Sequence, residues 1–354
     1  MRIEAMHDGD QSHPQSEIRN PQSSPGTPLR IGVLGAARIT PMALLRPARQ
    51  VPEAAIVAVA ARDPQRAQTF ASKHGILRVH PSYDALLADT EIEAIYNPLP
   101  NSLHCEWTIR ALEAGKHVLC EKPIASNTAE AERMAEAAQR TGRVLFEAFH
   151  WRYHPLAARM RAIIDSGELG NVRHVEAHLC IPLLLPGDIR YRLDLAGGAT
   201  MDTGCYTISI IRFLAAAEPE VVRAAARLSS PGVDRAMTAD FRFPNGCTGR
   251  ITCSLLSPVL LRVSAGVRGD RGEMAVFNPI GPQIMNWITV RTAGGRRRER
   301  IAGDATYTYQ LRAFVAAVRT GAAVPTGPEH GIANMRVIDE VYRKAGLQPR
   351  GTLR

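Results

Sequence analysis

Two stretches of this chain hold side chains suited to binding and deprotonating a hydroxyl group. In the first, Glu121-Lys122-Pro123 closes a short apolar run that reads as a buried strand, His117 to Glu121. A lysine at the carboxyl end of a buried parallel strand stands where such sheets bind ligands. Loss of water there is expected to lower its ammonium pKa from the usual value of about 10.4. Lys122 then offers N–H groups to a reacting hydroxyl. In the second stretch, Asp202 and Tyr206 lie four apart in a helical pattern, which puts a carboxylate and a phenol on one face. A phenol of pKa about 10 exchanges its proton more readily when a nearby cation favours the phenolate. Lys122 is the natural candidate for that cation.

The elements around these residues set the frame. Leu29 opens a β-turn-α-β pattern: an apolar run Ile31 to Leu34, a glycine turn, a helical stretch and a second apolar run, Ile56 to Ala61. Helices at Pro64 to His74, Tyr83 to Ala88, Ser102 to Ala114 and Thr128 to Thr141 alternate with strands at Ala94 to Asn97, His117 to Glu121 and Val144 to Ala148. Such alternation predicts an α/β fold whose first domain, residues 29–149, is a doubly wound parallel sheet covered on both faces. The turn Gly35-Ala36-Ala37-Arg38-Ile39-Thr40 falls where a dinucleotide fingerprint places its glycines, with Gly35 in the first position, Ala37 replacing the second glycine and Thr40 at the third. Taken alone it also suits a plain βα turn. At the end of the second strand, where an NAD enzyme usually carries a carboxylate for the ribose, stand Arg62 and, one helical turn on, Arg66. Guanidinium groups there suit a 2′-phosphate, so NADP is expected as cofactor, with NAD the alternative. The competing reading is that Arg62-Asp63-Pro64 is only a polar helix entry.

After Phe149 the rhythm changes. Helices at Pro155 to Ser166 and Ala199 to Leu214 flank a strand at Val172 to Ile181, and a series of strand-like stretches follows between Val221 and Thr292 before two closing helices, Tyr307 to Thr320 and Glu329 to Lys344. Strands in succession predict an α+β domain with a largely antiparallel sheet over residues 150–354. Residues 1–28, poor in large apolar side chains, read as a disordered tail. At 354 residues the chain exceeds the roughly 250 to 300 that one core accommodates, in keeping with two domains and a cleft between them.

Composition excludes more than it identifies. Hydrophobic residues at 45% and charged ones at 22% are those of an ordinary globular protein. No apolar run is long enough to span a bilayer and no signal peptide is evident, so a cytoplasmic location is expected. The six cysteines form no CxxC pair and read as reduced core thiols; no metal site is expected. The net charge of +9 is spread out, its densest run being Arg296 to Arg298 plus Arg300, which reads as a solvated strand edge; no nucleic-acid motif accompanies it.

The run Tyr96-Asn97-Pro98-Leu99-Pro100-Asn101-Ser102-Leu103-His104, followed by Ala114-Gly115-Lys116-His117-Val118-Leu119-Cys120-Glu121-Lys122-Pro123, closely resembles the glucose-fructose oxidoreductase, inositol dehydrogenase and rhizopine catabolism (Gfo/Idh/MocA) superfamily. The likeness extends over about residues 30 to 345. It implies a Rossmann domain followed by an open-faced α/β domain, with the lysine of Glu-Lys-Pro catalytic. Leu195-Ala196-Gly197-Gly198-Ala199-Thr200-Met201-Asp202-Thr203-Gly204-Cys205-Tyr206 is similar to the branch of dimeric dihydrodiol dehydrogenases and NADP-dependent D-xylose dehydrogenases, with tyrosine where inositol dehydrogenases carry histidine. The resemblance implies that Tyr206 transfers the proton, Lys122 anchors substrate and assists electrostatically, and Asp202 orients substrate hydroxyls. Gly35, Ala36, Ala37, Arg38, Ile39, Arg62, Arg66, Pro98, Asn101, His104, Glu121 and Lys122 are the expected cofactor contacts; His104, just after an Asn-Ser cap, reads as structural more than catalytic. Trp151, Arg152 and Tyr153, in Glu147-Ala148-Phe149-His150-Trp151-Arg152-Tyr153-His154-Pro155, either line the cleft or pack the hinge, and Asp188, Arg190 and Arg192 face substrate from a loop.

The expected activity is hydride transfer between NADP and a sugar, polyol or vicinal diol, in a homodimer or homotetramer. Two alternatives stand beside it: a sugar–sugar oxidoreductase with tightly held cofactor, and a regulator that binds NADP and a sugar without chemistry.

Overall fold

The computed structural model describes residues 26–185 and 187–351. Of the expected tail, only Gly26 to Pro28 fall among them. The chain begins with β1 (Leu29–Leu34), a π-helical turn (Pro41–Leu45) running into the short α1 (Arg46–Ala48), β2 (Ala54–Ala60), α2 (Pro64–His74), β3 (Arg78–His80) and α3 (Tyr83–Ala88). It continues through β4 (Ala94–Asn97), α4 (His104–Glu113), β5 (His117–Cys120), α5 (Thr128–Thr141) and β6 (Leu145–Glu147). These six strands form one parallel sheet in the order β3-β2-β1-β4-β5-β6. Every residue of β4 and β5 is buried, as strands covered on both faces must be. The order reverses between β1 and β4, and the carboxyl ends of those two strands border the crevice where such sheets take ligands.

Local chemistry fixes the helix ends. The Asp63 carboxylate accepts from the amides of Gln65 and Arg66, Pro64 fills the first position of α2, and Gly75 ends the helix at φ +72°, a conformation that glycine adopts without strain. Asn127 and Gly142 do the same for α5.

The second half contains α6 (Pro155–Asp165), β7 (Val172–Cys180), α7 (Cys205–Ala215), then β8 (Glu220–Ser230), β9 (Val233–Arg242), β10 (Thr248–Ser254), β11 (Arg262–Gly269), β12 (Gly272–Phe277), β13 (Trp287–Thr292) and β14 (Gly295–Glu299). They form an eight-stranded sheet in the order β14-β13-β12-β11-β7-β10-β9-β8, antiparallel except where β10 runs parallel to β7. Val175, Ala177 and Leu179 alternate along β7 and, with Ile251 and Cys253 of β10, join the core beneath α7. Two closing helices return to the first sheet. From α8 (Thr306–Thr320), Tyr307, Leu311 and Phe314 share a core with Ile31, Val33, Leu119 and Phe146, while α9 (Pro328–Lys344) packs on α5.

One strand lies outside the pattern read from sequence: β3 is three residues long, too short for a recognisable alternation, whereas β14 is the arginine-rich edge strand that the basic run suggested. The helix expected from Ala199 to Leu214 is a π-helical turn, Thr200–Gly204, followed by α7. All six cysteines are buried, and among the described residues no helix is long and apolar enough to cross a membrane.

Candidate active site

Lys122 leaves the end of β5, and its Nζ reaches across to the other half of the molecule. It donates to the Asp202 backbone oxygen at 3.0 Å and to Asp202 Oδ1 at 3.1 Å, and it sits 4.7 Å from the centre of the Tyr206 ring. The Lys122–Pro123 peptide is cis. Asp202 comes from the π-helical turn and Tyr206 from the second position of α7, and both line one cleft of about 280 Å³ with Lys122, Pro98, Asn101, Arg190 and Tyr307. Lysine, carboxylate and phenol therefore meet where the strand ends and the turn face each other.

Electrostatics reverse one expectation. Burial alone would lower the Lys122 pKa, but the Asp202 carboxylate beside it, helped by Glu121, outweighs that loss and holds the ammonium above the usual lysine range. Asp202 shows the converse: burial would raise its pKa, yet Lys122 and Arg190 keep it below the ordinary carboxylate value. Burial holds the Tyr206 phenol well above its ordinary range, and the neighbouring Glu121 adds to this. The site at rest is thus an ammonium, a carboxylate and a neutral phenol.

A string of alternating charges extends from Lys122 toward the glycine turn. Arg190 Nε lies 3.0 Å from Asp202 Oδ2, and Arg190 Nη1 lies 3.1 Å from Asp188 Oδ1. Arg38 Nη2 in turn donates to Asp188 Oδ2 at 2.9 Å. Asp188 is fully buried between its two arginines, so it does not itself face the cleft; Arg190 does. Arg192 pairs outward with Asp194 and does not line the cleft.

Behind the site, Tyr96 donates to Glu121 Oε1 at 2.7 Å. The His104 ring lies between the carbonyl oxygens of Pro123, 2.9 Å from Nδ1, and Leu99, 2.8 Å from Nε2. Burial lowers its pKa to about 4, so at neutral pH its single N–H serves one of those two carbonyls. Asn101 donates to the Ala196 carbonyl at 3.0 Å and ties the halves together.

The glycine turn passes the test for a dinucleotide. Gly35 adopts φ +81° directly after β1, as a tight strand-to-helix turn requires. Next to it is a cavity of about 740 Å³ whose wall includes Ala36, Ala37, Asp63, Phe70 and His74 together with three cationic side chains, Arg38, Arg66 and Lys73, that suit phosphate. Arg66 Nη2 also donates to the Ala36 carbonyl at 3.1 Å. Arg62 is exposed and not part of that wall; Lys73 and His74, from the end of α2, are, and no sequence pattern singled them out.

Three expected substrate contacts lie elsewhere. Trp151 is 1% exposed and packs edge-on against Phe213, Arg152 lies over the same Phe213 ring at 4.0 Å, and Tyr153 stacks on Phe146 with its hydroxyl 2.7 Å from Thr326 Oγ1. None of the three lines the cleft, and their contacts are those of packing. Conversely, sequence reasoning missed His150 and Tyr307. His150 Nε2 stands 3.0 Å from Tyr206 Oη. Tyr307, far away in the chain at the start of α8, carries no local signal for its place in the cleft.

Comparison with known proteins finds family models for both halves of the chain. The oxidoreductase family with an NAD-binding Rossmann fold, Gfo/Idh/MocA, matches residues 29–149, and the Gfo/Idh/MocA C-terminal domain matches residues 157–275. An uncharacterized oxidoreductase of Rhizobium meliloti is 36% identical over 325 residues, covering 90% of this chain and 97% of its own. An NADP-dependent D-xylose 1-dehydrogenase of Haloferax volcanii is 34% identical over 318 residues, with 90% and 97% covered. Among solved structures, a 3-ketoreductase from Actinomadura kijaniata in complex with NADP and TDP-benzene superposes with a TM-score of 0.84 at 29% identity, covering 91% of this chain and 98% of that one.

Proposed function

The chain belongs to the Gfo/Idh/MocA family of oxidoreductases, and on that premise we propose that it transfers hydride between NADP and a CH–OH or C=O group of a sugar, polyol or vicinal diol. The observation that carries this reading is the convergence of Lys122, Asp202 and Tyr206 in one cleft at the strand ends, beside the cationic cavity at the glycine turn. Relatives that handle NADP, D-xylose and a keto-sugar support the substrate class.

The bound nicotinamide supplies or takes the hydride; the chain supplies everything else. Arg38, Arg66 and the turn from Gly35 to Ile39 would hold the phosphates, and Pro98, Asn101 and Glu121 line the cleft beyond them. The cationic side chains of Arg66 and Lys73 would favour the extra phosphate of NADP. Lys122, kept charged by Asp202, donates a hydrogen bond to the reacting oxygen and stabilises negative charge on it. Tyr206 exchanges the proton with that oxygen: the neutral phenol gives it to the forming alkoxide in reduction, and in oxidation Tyr206 first releases its own proton to solvent and then, as phenolate, takes the substrate's. Asp202 and Arg190 bind the neighbouring hydroxyls. Residues up to 149 carry the cofactor, and those from 150 onward carry substrate and assembly. The reading extends to a cytoplasmic location and to a homodimer or homotetramer, the latter supported by the Phe277 and Trp287 rings stacked 4.2 Å apart on the sheet face opposite Met274 and Val276.

A screen of aldoses, inositols, dihydrodiols and keto-sugars with NADP(H) and NAD(H), followed by nicotinamide absorbance, tests the proposal. Turnover with at least one class, faster with NADP than with NAD, is expected. Stoichiometric binding of sugar and NADP with no turnover by any of them overturns it in favour of a regulator.

A further inference from the structure

The phenolic oxygen of Tyr206 is held not by Lys122, whose Nζ lies over the ring, but by an imidazole. His150 Nε2 stands 3.0 Å from Tyr206 Oη, and Nδ1 of the same ring stands 2.8 Å from Thr306 Oγ1. The imidazole is 5% exposed and Thr306 is fully buried, and the Tyr307 ring lies against His150 with centroids 4.1 Å apart. The ring is thus fixed by a polar contact at each nitrogen and by an aromatic face. Apolar packing alone requires none of this polarity, because an unmatched buried nitrogen carries a desolvation cost.

Resting on the reading of Tyr206 as the proton-transfer group, we infer that His150 is a positioning residue that holds Tyr206 Oη toward the cleft in both of its protonation states. A neutral imidazole has one donor and one acceptor, and a hydroxyl has both. With the cleft empty, Tyr206 as phenol donates to Nε2 while Nδ1–H donates to Thr306; with substrate bound, it turns its O–H to the reacting oxygen and accepts from Nε2–H. Tyr206 as phenolate accepts from Nε2–H while the Thr306 hydroxyl donates to Nδ1. The string His150–Thr306 therefore matches either form, and the oxygen keeps its place while its proton comes and goes. Burial, and then the charge of Lys122, hold the His150 pKa down to about 3, so the ring is neutral at working pH and both of these arrangements are available to it. A permanently charged imidazolium could only donate.

The inference makes glutamine the conservative replacement, since its amide also donates or accepts, whereas leucine does neither. His150→Leu should lower kcat by about tenfold to a hundredfold, less than the roughly 100- to 10,000-fold carried by a direct acid–base group. KM and NADP affinity should move little, and His150→Gln should recover most of the loss. Placed on a Tyr206→Phe background, His150→Leu should cost nothing further, because the group it positions is gone. A native kcat for His150→Leu overturns the inference, as does a kcat for His150→Gln as low as that of the leucine variant. So does an undiminished effect in the double variant. If His150→Leu does not fold, His150→Gln with and without Tyr206→Phe decides. Should Tyr206→Phe alone retain native turnover, the reading of Tyr206 fails instead, and the two failures are told apart.

Discussion

Lys122 and Asp202 set each other's charge, and the consequence is a pH dependence with a definite sign. Asp202 raises the Lys122 pKa against the pull of burial, so in the native protein the ammonium persists well into alkaline solution. Asp202→Asn removes the opposing anion, burial then prevails, and Nζ loses its proton at lower pH. The basic limb of the kcat profile should therefore move to lower pH in Asp202→Asn; superimposable profiles for native and variant would show that Lys122 owes nothing to this partner. Both residues were legible because each belongs to a long motif. Their mutual effect was not, since a separation of 80 positions in the sequence conceals the contact. The stretch after Phe149 shows another limit. A 3₁₀ turn, His150–Tyr153, sends successive side chains about 120° apart. His150 points to Tyr206, Trp151 and Arg152 to Phe213, and Tyr153 to Thr326, so four adjacent polar and aromatic residues that look alike in sequence reach three different places.

At the level of elements, the edge strand β14 is held by ion pairs that the sequence showed only as a basic run. Glu299 accepts from Arg159 of α6 at 2.7 Å through each of its oxygens and from Arg297 at 3.0 Å, and Arg297 also pairs with Glu168; Arg298 lies 4.0 Å over the Trp287 ring. These hydrogen bonds, first from Arg159, bring the Glu299 pKa down to about 2. In the unfolded chain a glutamate titrates near 4.3. Because the folded value is the lower one, this stabilisation is present above the unfolded pKa and is lost as pH falls from there toward 2. Melting temperatures taken from pH 6 down to pH 3 should fall more steeply for the native protein than for Glu299→Gln. Parallel curves would mean that the fork adds nothing to stability. The reading of Arg296 to Arg300 as a strand edge identified the location, but pairing with Glu168 and Arg159 depends on tertiary contacts that a local pattern does not contain.

Across the whole molecule, the site depends on the C-terminus. Arg350 is 2% exposed; it donates to Asp234 Oδ1 and to the Gly197 carbonyl, each at 2.7 Å. Asp234 Oδ2 accepts from the amide and hydroxyl of Thr200, the first residue of the turn that carries Asp202. Breaking such a buried pair on one side costs about 3–5 kcal/mol. Arg350→Met should therefore lower the unfolding free energy by about that amount, measured by denaturant titration, and a loss near zero would contradict the buried pairing. Division into two sheets was legible from the change of rhythm after Phe149. The return of α8 to the first sheet, which brings Tyr307 into the cleft, was not, because an amphipathic helix pattern does not say which sheet it covers.

The account as a whole turns on a phenol that exchanges the substrate proton beside a lysine kept charged by its carboxylate. Steady-state kinetics of Tyr206→Phe, with NADP affinity measured by titration on the same preparation, test it most directly. The prediction is a fall in kcat of about 100- to 10,000-fold with NADP binding unchanged, and near-native turnover in that variant would contradict it.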